Sequence, residues 1–157
     1  MKWQQLCNNP NLKDLPFKIE LNEQGQIIMS PSRLLHGAYQ SEIVKQMAVL
    51  LQEGRIITEC AIQTPKGTKV ADVAWFSSAQ WEQVKHEYDS PVSPEICIEI
   101  LSPGNSKYEM QMKKRLYFAG GAKEVWICDE TGSLNFYGKK GRLGKSRLIP
   151  GFPEQIV

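Results

Sequence analysis

The chain has 157 residues, 41% hydrophobic and 23% charged, with a net charge of +2 and a pI near 8.3. This is an ordinary globular composition, long enough for one domain (residues 1–157) with a real core. Mild basicity neither requires nor excludes nucleic acid, and no stretch approaches the ~18 apolar residues of a membrane span. The four cysteines, Cys7, Cys60, Cys97 and Cys128, form no C-x-x-C pair. With only His36 and His86 beside them, no zinc-ligand spacing emerges. Cys60, Cys97 and Cys128 fall in apolar runs and read as small buried hydrophobes. The opening MKWQQLCNNP lacks the apolar core of a signal peptide, so a reduced, cytoplasmic protein is expected.

In chain order, residues 1–16 read as a short helix or arm closed by Asn8-Asn9-Pro10. Phe17–Leu21 alternates as a half-buried strand, Asn22–Gly25 is a hairpin turn, and Gln26–Ser30 is the return strand. After Pro31 a long helix reaches about Glu53, with Ile43, Met47, Leu50 and Leu51 as its apolar stripe. Arg55–Gln63 and Lys69–Phe76 read as an antiparallel pair about a Thr64–Gly67 turn. A helix capped by Ser77 or Ser78 runs to about Tyr88. Glu95–Leu101 is a strand, Ser102–Lys107 a loop, Tyr108–Ala119 a helix stopped by Gly120-Gly121, and Glu124–Cys128 a second apolar strand. Ser133–Tyr137 is a further strand, Gly138–Gly144 a basic glycine-rich loop, and Arg147–Ile149 a last short strand. Early hairpins with a later strand–helix–strand unit predict a mixed α/β sheet flanked by helices.

Two carboxylates stand out. Asp72 lies in VADVAW and Glu99 in ICIEIL, each inside an apolar strand. Strict alternation puts residues 70, 72 and 74 on one face, and Cys97, Glu99 and Leu101 together on another. A carboxylate in such a run needs a partner or pays a large desolvation cost. On adjacent strands the two converge, and with a backbone carbonyl and waters they suit a hard cation such as Mg²⁺ or Mn²⁺. Salt-bridged or edge-exposed carboxylates account for the same pattern. On the following helix Tyr108, Met112, Leu116 and Ala119 form the expected core stripe. Lys113 lies on the flank of that stripe, either pairing with Glu109 at the surface or reaching the strand ends, and Lys114 points to water. His36 and Glu42, on the long helix, are weaker candidates.

Val70-Ala-Asp72-Val, Ile98-Glu99-Ile-Leu-Ser-Pro103, Tyr108-x₄-Lys113-x₃-Tyr117-x₃-Gly121 and Glu124-Val-Trp126-Ile-Cys-Asp129 together resemble the Uma2 family, over about residues 15–153. That family is classed with the restriction-endonuclease-like PD-(D/E)XK superfamily. The resemblance implies a restriction-endonuclease-like core and Mg²⁺-dependent hydrolysis of DNA phosphodiesters. It implies Asp72 and Glu99 as metal ligands, the Ile100 carbonyl as a third, and Lys113 as the assisting lysine. Ala71 stands where the superfamily has proline, and Leu101 where it usually has lysine, which is why the lysine is sought at Lys113. A homodimer would offer one site per DNA strand. The competing expectation is a catalytically inactive nucleic-acid- or partner-binding protein on the same fold.

Overall fold

The computed structural model describes residues 1–156. After helix α1 (Trp3–Cys7) and a 3₁₀ turn (Pro10–Leu12), strands β1 (Phe17–Leu21) and β2 (Ile27–Pro31) form a separate two-stranded antiparallel sheet. Helix α2 (Leu34–Leu50) follows. Next come β3 (Arg55–Thr64), β4 (Gly67–Phe76), α3 (Ser78–Val84), β5 (Ile96–Ile100), α4 (Lys107–Ala119), β6 (Glu124–Cys128), β7 (Leu134–Gly138) and β8 (Gly141–Leu143). The main sheet runs β3-β4-β5-β6-β7-β8 in sequence order. Among the described residues only β5 and β6 are paired strands running parallel, because α4 carries the chain back across the sheet between them; the other strand pairs are antiparallel. The expected mixed α/β architecture is therefore the observed one.

Two cores cover the sheet. Tyr39, Ile43 and Met47 of α2, at i, i+4 and i+8, pack on Val73, Ile96, Ile98 and Trp126, and Phe152 near the C-terminus closes over the same face. On the other face Tyr117 of α4 and Val84 of α3 pack on Phe76, Cys97 and Val125. β5 is buried along its whole length, which explains its continuous apolar run and the need to neutralise Glu99 within it.

Several local expectations change. Leu50 lies on the outside of α2, since the α2 stripe is Tyr39, Ile43 and Met47, while Leu51 does pack against the core. α3 ends at Val84 rather than near Tyr88. The Gly138–Gly144 segment is not a plain loop, because β8 pairs back onto β7 about a turn at Lys139-Lys140. Arg147–Ile149 is not a strand. The buried Glu124 carboxylate captures the Arg147 and Leu148 N–H groups at 2.9 and 2.8 Å, together with Ser146 Oγ and the Trp126 indole N–H, so those amides are satisfied without a sheet partner.

The β1–β2 hairpin lies across β4. Gly67 permits this approach. Its φ is +94°, and a Cβ there would collide with the backbone of Leu21 and Asn22. The hairpin matters because it delivers two charged side chains to the interior.

Cys60, Cys97 and Cys128 are buried free thiols, as expected, and burial pushes both the Cys60 and the Cys128 thiol up to about 12. Thiol titration of the native protein should therefore release one equivalent, from exposed Cys7, and all four only in denaturant. Rapid reaction of two or more native thiols would show that the sheet does not enclose them.

Candidate active site

The antiparallel ladder between β4 and β5 runs Trp75↔Ile96, Ala74↔Cys97, Val73↔Ile98, and stops. The next pair in that register is Asp72 opposite Glu99. Here the strands part, and the carboxylates fill the gap. Asp72 Oδ2 accepts the Ile100 N–H at 2.7 Å, replacing the backbone partner that the ladder no longer supplies. On the other side of β4, Glu59 of β3 has φ +52° and the pairing skips the Glu59–Asp72 position. The Asp72 carbonyl takes a 2.7 Å hydrogen bond from Gln40 of α2, whose Nε2 also donates to Glu59 Oε1 at 2.9 Å. The strand period slips at this point. Ala71 belongs to the same core as Ala74 and Phe76, and Cys60 to the same core as Ile57. The strict alternation expected for residues 70, 72 and 74 fails here because of this local distortion, which frees Asp72 from the ladder.

Asp72 (1% exposed) and Glu99 (2%) do converge, and Lys113 joins them. Lys113 Nζ lies 3.2 Å from Glu99 Oε1 and 2.8 Å from Glu20 Oε2, and the residue is only 4% exposed. The stripe expected for α4 is thus rotated. Met110, Lys113 and Tyr117 face inward, whereas Tyr108 is 76% exposed. The reason is electrostatic: a lysine occupies a core position because two buried carboxylates await it. Tyr117 Oη donates to Glu99 Oε2 at 2.7 Å. Lys114 does not simply point to water but sits over the Tyr137 ring at 3.7 Å.

The hairpin adds Lys18 and Glu20. Lys18 Nζ bridges Asp72 Oδ1 (3.1 Å) and Glu99 Oε1 (3.3 Å). Glu20 Oε2 also accepts the Val70 N–H at 2.7 Å. His36, in the first turn of α2, places Nε2 3.3 Å from Asp72 Oδ1. Lys18, Glu20 and Tyr117 were not among the candidates read from the sequence. Lys18 and Glu20 are two residues apart, hence on one strand face, and their opposite charges were the available signal. The strand is turned opposite to its hydrophobicity at its outer end: Phe17 is exposed and Glu20 buried. Of the weaker candidates, Glu42 accepts from Gln46 along α2, and Glu109 lines the cleft while accepting from Asn105.

The charge states follow from these contacts. Burial works to raise the Asp72 carboxyl, but His36 and Lys18, with the Ile100 N–H, hold it down at about 2. Burial likewise opposes ionisation of Glu20, yet Lys113 and Lys18 prevail and lower it. At Glu99 burial wins over Lys113 and Lys18 and holds the carboxyl above its ordinary range. Lys18 and Lys113 are held protonated despite burial, chiefly by Glu99. His36 is shifted upward by its hydrogen bond to Asp72.

Lys18, Glu20, His36, Glu99 and Lys113 floor a cleft of ≈ 480 Å³ walled by the hairpin, the start of α2, and the Ser102–Asn105 loop, and Asp72, in contact with Lys18 and His36, is buried beneath this lining. A larger cleft of ≈ 750 Å³ lies at the other end of β6, flanked by Lys139, Lys140, Arg142 and Arg147, and contains neither Asp72 nor Glu99. The donor set of the first cleft suits a hard divalent cation: Asp72 Oδ1 and Glu99 Oε1 already share one positive charge, the Lys18 ammonium, which stands where a cation would. Among the described residues, no group of three or more acidic, histidine or cysteine side chains is arranged as a metal cage, so a metal here would draw further ligands from backbone or water.

The architecture is an α/β domain, a mixed sheet flanked by helices, with acids at the point where two central strands part. The chain belongs to the Uma2 family, described as "Putative restriction endonuclease", whose pattern matches residues 3–152. A solved structure described as "a putative nuclease belonging to DUF820" from Anabaena variabilis ATCC 29413 has the same fold. It is 20% identical, with a TM-score of 0.67 over 88% of this chain and 79% of that one. No curated protein matches the chain. Among the described residues no helix is long and apolar enough to cross a membrane.

Replacing Lys113 with Ala strands Glu20 and Glu99 without their shared cation and should cost about 3–5 kcal/mol in urea unfolding. Tyr117→Phe removes one neutral-to-carboxylate hydrogen bond and should cost about 1–3 kcal/mol. A Lys113→Ala protein as stable as wild type would mean that the buried pairing does not hold in solution.

Proposed function

We propose that this protein is a metal-dependent endonuclease that hydrolyses DNA phosphodiester bonds, with Mg²⁺ or Mn²⁺ held by Asp72, Glu99 and the Ile100 backbone carbonyl, and Lys113 assisting. The observation that carries the reading is the convergence of Asp72 and Glu99 on one shared cation, Lys18, which with Glu99 lines an open cleft. Family membership supports the nuclease part of this reading. Bound there, a divalent ion supplies Lewis-acid stabilisation of phosphoryl charge and lowers the pKa of a water. The chain's own residues orient the carboxylates. The Ile100 N–H and His36 aim Asp72, and Tyr117 with Lys113 aims Glu99. Lys113, pinned by Glu20, holds positive charge beside Glu99, where it would offset charge developing on a bound phosphoryl group.

One feature favours a second reading, a binding protein without activity on the same fold. Lys123, Lys139, Lys140, Arg142 and Arg147 line the distant cleft, and the one acid there, Glu124, is buried among its own donors. Such a groove suits a phosphate backbone independently of Asp72 and Glu99.

Cleavage of supercoiled, single-stranded and branched DNA at low salt distinguishes the two. Wild type should cut with Mg²⁺ or Mn²⁺ and not with EDTA, and Asp72→Ala and Glu99→Ala should each lose more than about 100-fold in rate. Metal-independent DNA binding without cleavage, unchanged in both variants, would favour the binding protein.

A further inference from the structure

Lys18 is the least expected member of the cluster. It enters from the β1–β2 hairpin, which belongs to neither the main sheet nor the helices, and its Nζ lies between Asp72 Oδ1 and Glu99 Oε1. Those two oxygens are the ones that the proposed metal would need.

Charge makes the two cations exclusive. Three carboxylates (Glu20, Asp72, Glu99) are in direct contact with two ammonium groups (Lys18, Lys113), so the cluster of these five groups, counted with His36 set aside, carries a formal −1. Adding a dication while both lysines stay would bring it to +1 in a desolvated setting. Exchanging Lys18 for the dication brings it to zero. Space and donors argue the same way, since an ammonium within hydrogen-bond distance of both oxygens occupies the position between them.

The two lysines are not equivalent. Lys113 is fixed from a core helix by Glu20 and Glu99 together, and Glu20 is itself tied to the β4 backbone. Lys18 sits on a two-stranded hairpin at the edge of the cleft and lines it, so its flexible stem has somewhere to go.

We propose that Lys18 is a positioning residue that holds Asp72 and Glu99 in register as a resident cation and is displaced into the cleft when a divalent metal binds. This rests on the metal-site reading above. Lys18 preserves a converged pair of carboxylates that would otherwise repel, at the expense of metal affinity.

Two measurements test it. Calorimetric titration with Mn²⁺ alone compares wild type, Lys18→Met and Asp72→Asn. Lys18→Met should bind Mn²⁺ at least about tenfold tighter than wild type, and Asp72→Asn should not bind at this site. A purely structural lysine would lower affinity or leave it unchanged when removed, and either result overturns the displacement. If wild type and Lys18→Met bind equally and Asp72→Asn does not, the metal site stands and the role of Lys18 falls. If neither wild type nor Lys18→Met binds Mn²⁺, or if binding survives Asp72→Asn, both readings fall. The second measurement needs no variant. Acetylation of wild-type lysines, read by mass spectrometry, should modify Lys18 severalfold faster at saturating Mg²⁺ than in EDTA, with Lys113 protected in both. Equal protection of Lys18 in the two conditions, with Mg²⁺ bound, overturns the proposal.

Discussion

The pairing of Glu99 is the constraint on which the rest of the structure depends. A carboxylate on a fully buried central strand must be compensated, and a single cation would be insufficient cover for both of its oxygens. Lys113 and Lys18 meet one oxygen and Tyr117 the other, so a helix and a hairpin are both drawn to this point of the sheet. The orientation of α4 follows, as Lys113 and Tyr117 must lie on its inner face, four residues apart. The position of the hairpin follows too, since Lys18 and Glu20 reach the cluster only if β1 crosses β4.

Arrangement and chemistry are linked through backbone hydrogen bonds. Where β4 leaves β5, Ile100 would lose its N–H partner, and where β3 skips the Glu59–Asp72 position, Asp72 would lose its carbonyl partner. The Asp72 carboxylate satisfies the first and Gln40 satisfies the second. The end of the ladder thus becomes a polar recess in an otherwise apolar sheet, lined by groups already oriented before any ligand arrives. Such a recess is stable only because its charges are mutually compensated, and the same compensation means that a ligand cation has to compete for its place.

Much of this was legible in the chain. The apolar runs around Asp72 and Glu99, the turn residues between strands, and the strand–helix–strand unit specify a mixed sheet with two carboxylates near each other. Asp72 and Glu99 were identifiable because a charged residue in an apolar run breaks a simple pattern, whereas spacing left Lys113 open between the surface and the site and only the family resemblance pointed to it. Lys18 and Glu20 were hidden because an alternating strand with charged residues on one face ordinarily turns that face to water. Tyr117 was hidden because an aromatic at helical spacing reads as core packing, which it also provides.

Sequence alone determined the local periods, the breaks between elements and the types of residue available for chemistry, since these depend on near neighbours along the chain. Only the tertiary structure decided which charges meet. The slip at Glu59–Asp72, the inward rotation of α4 and the crossing of the hairpin over β4 each depend on contacts between residues dozens of positions apart. Hydrophobic periodicity does not encode these contacts, because it counts a lysine as surface wherever it falls, whereas in this fold the energy of a buried carboxylate places two of them inside.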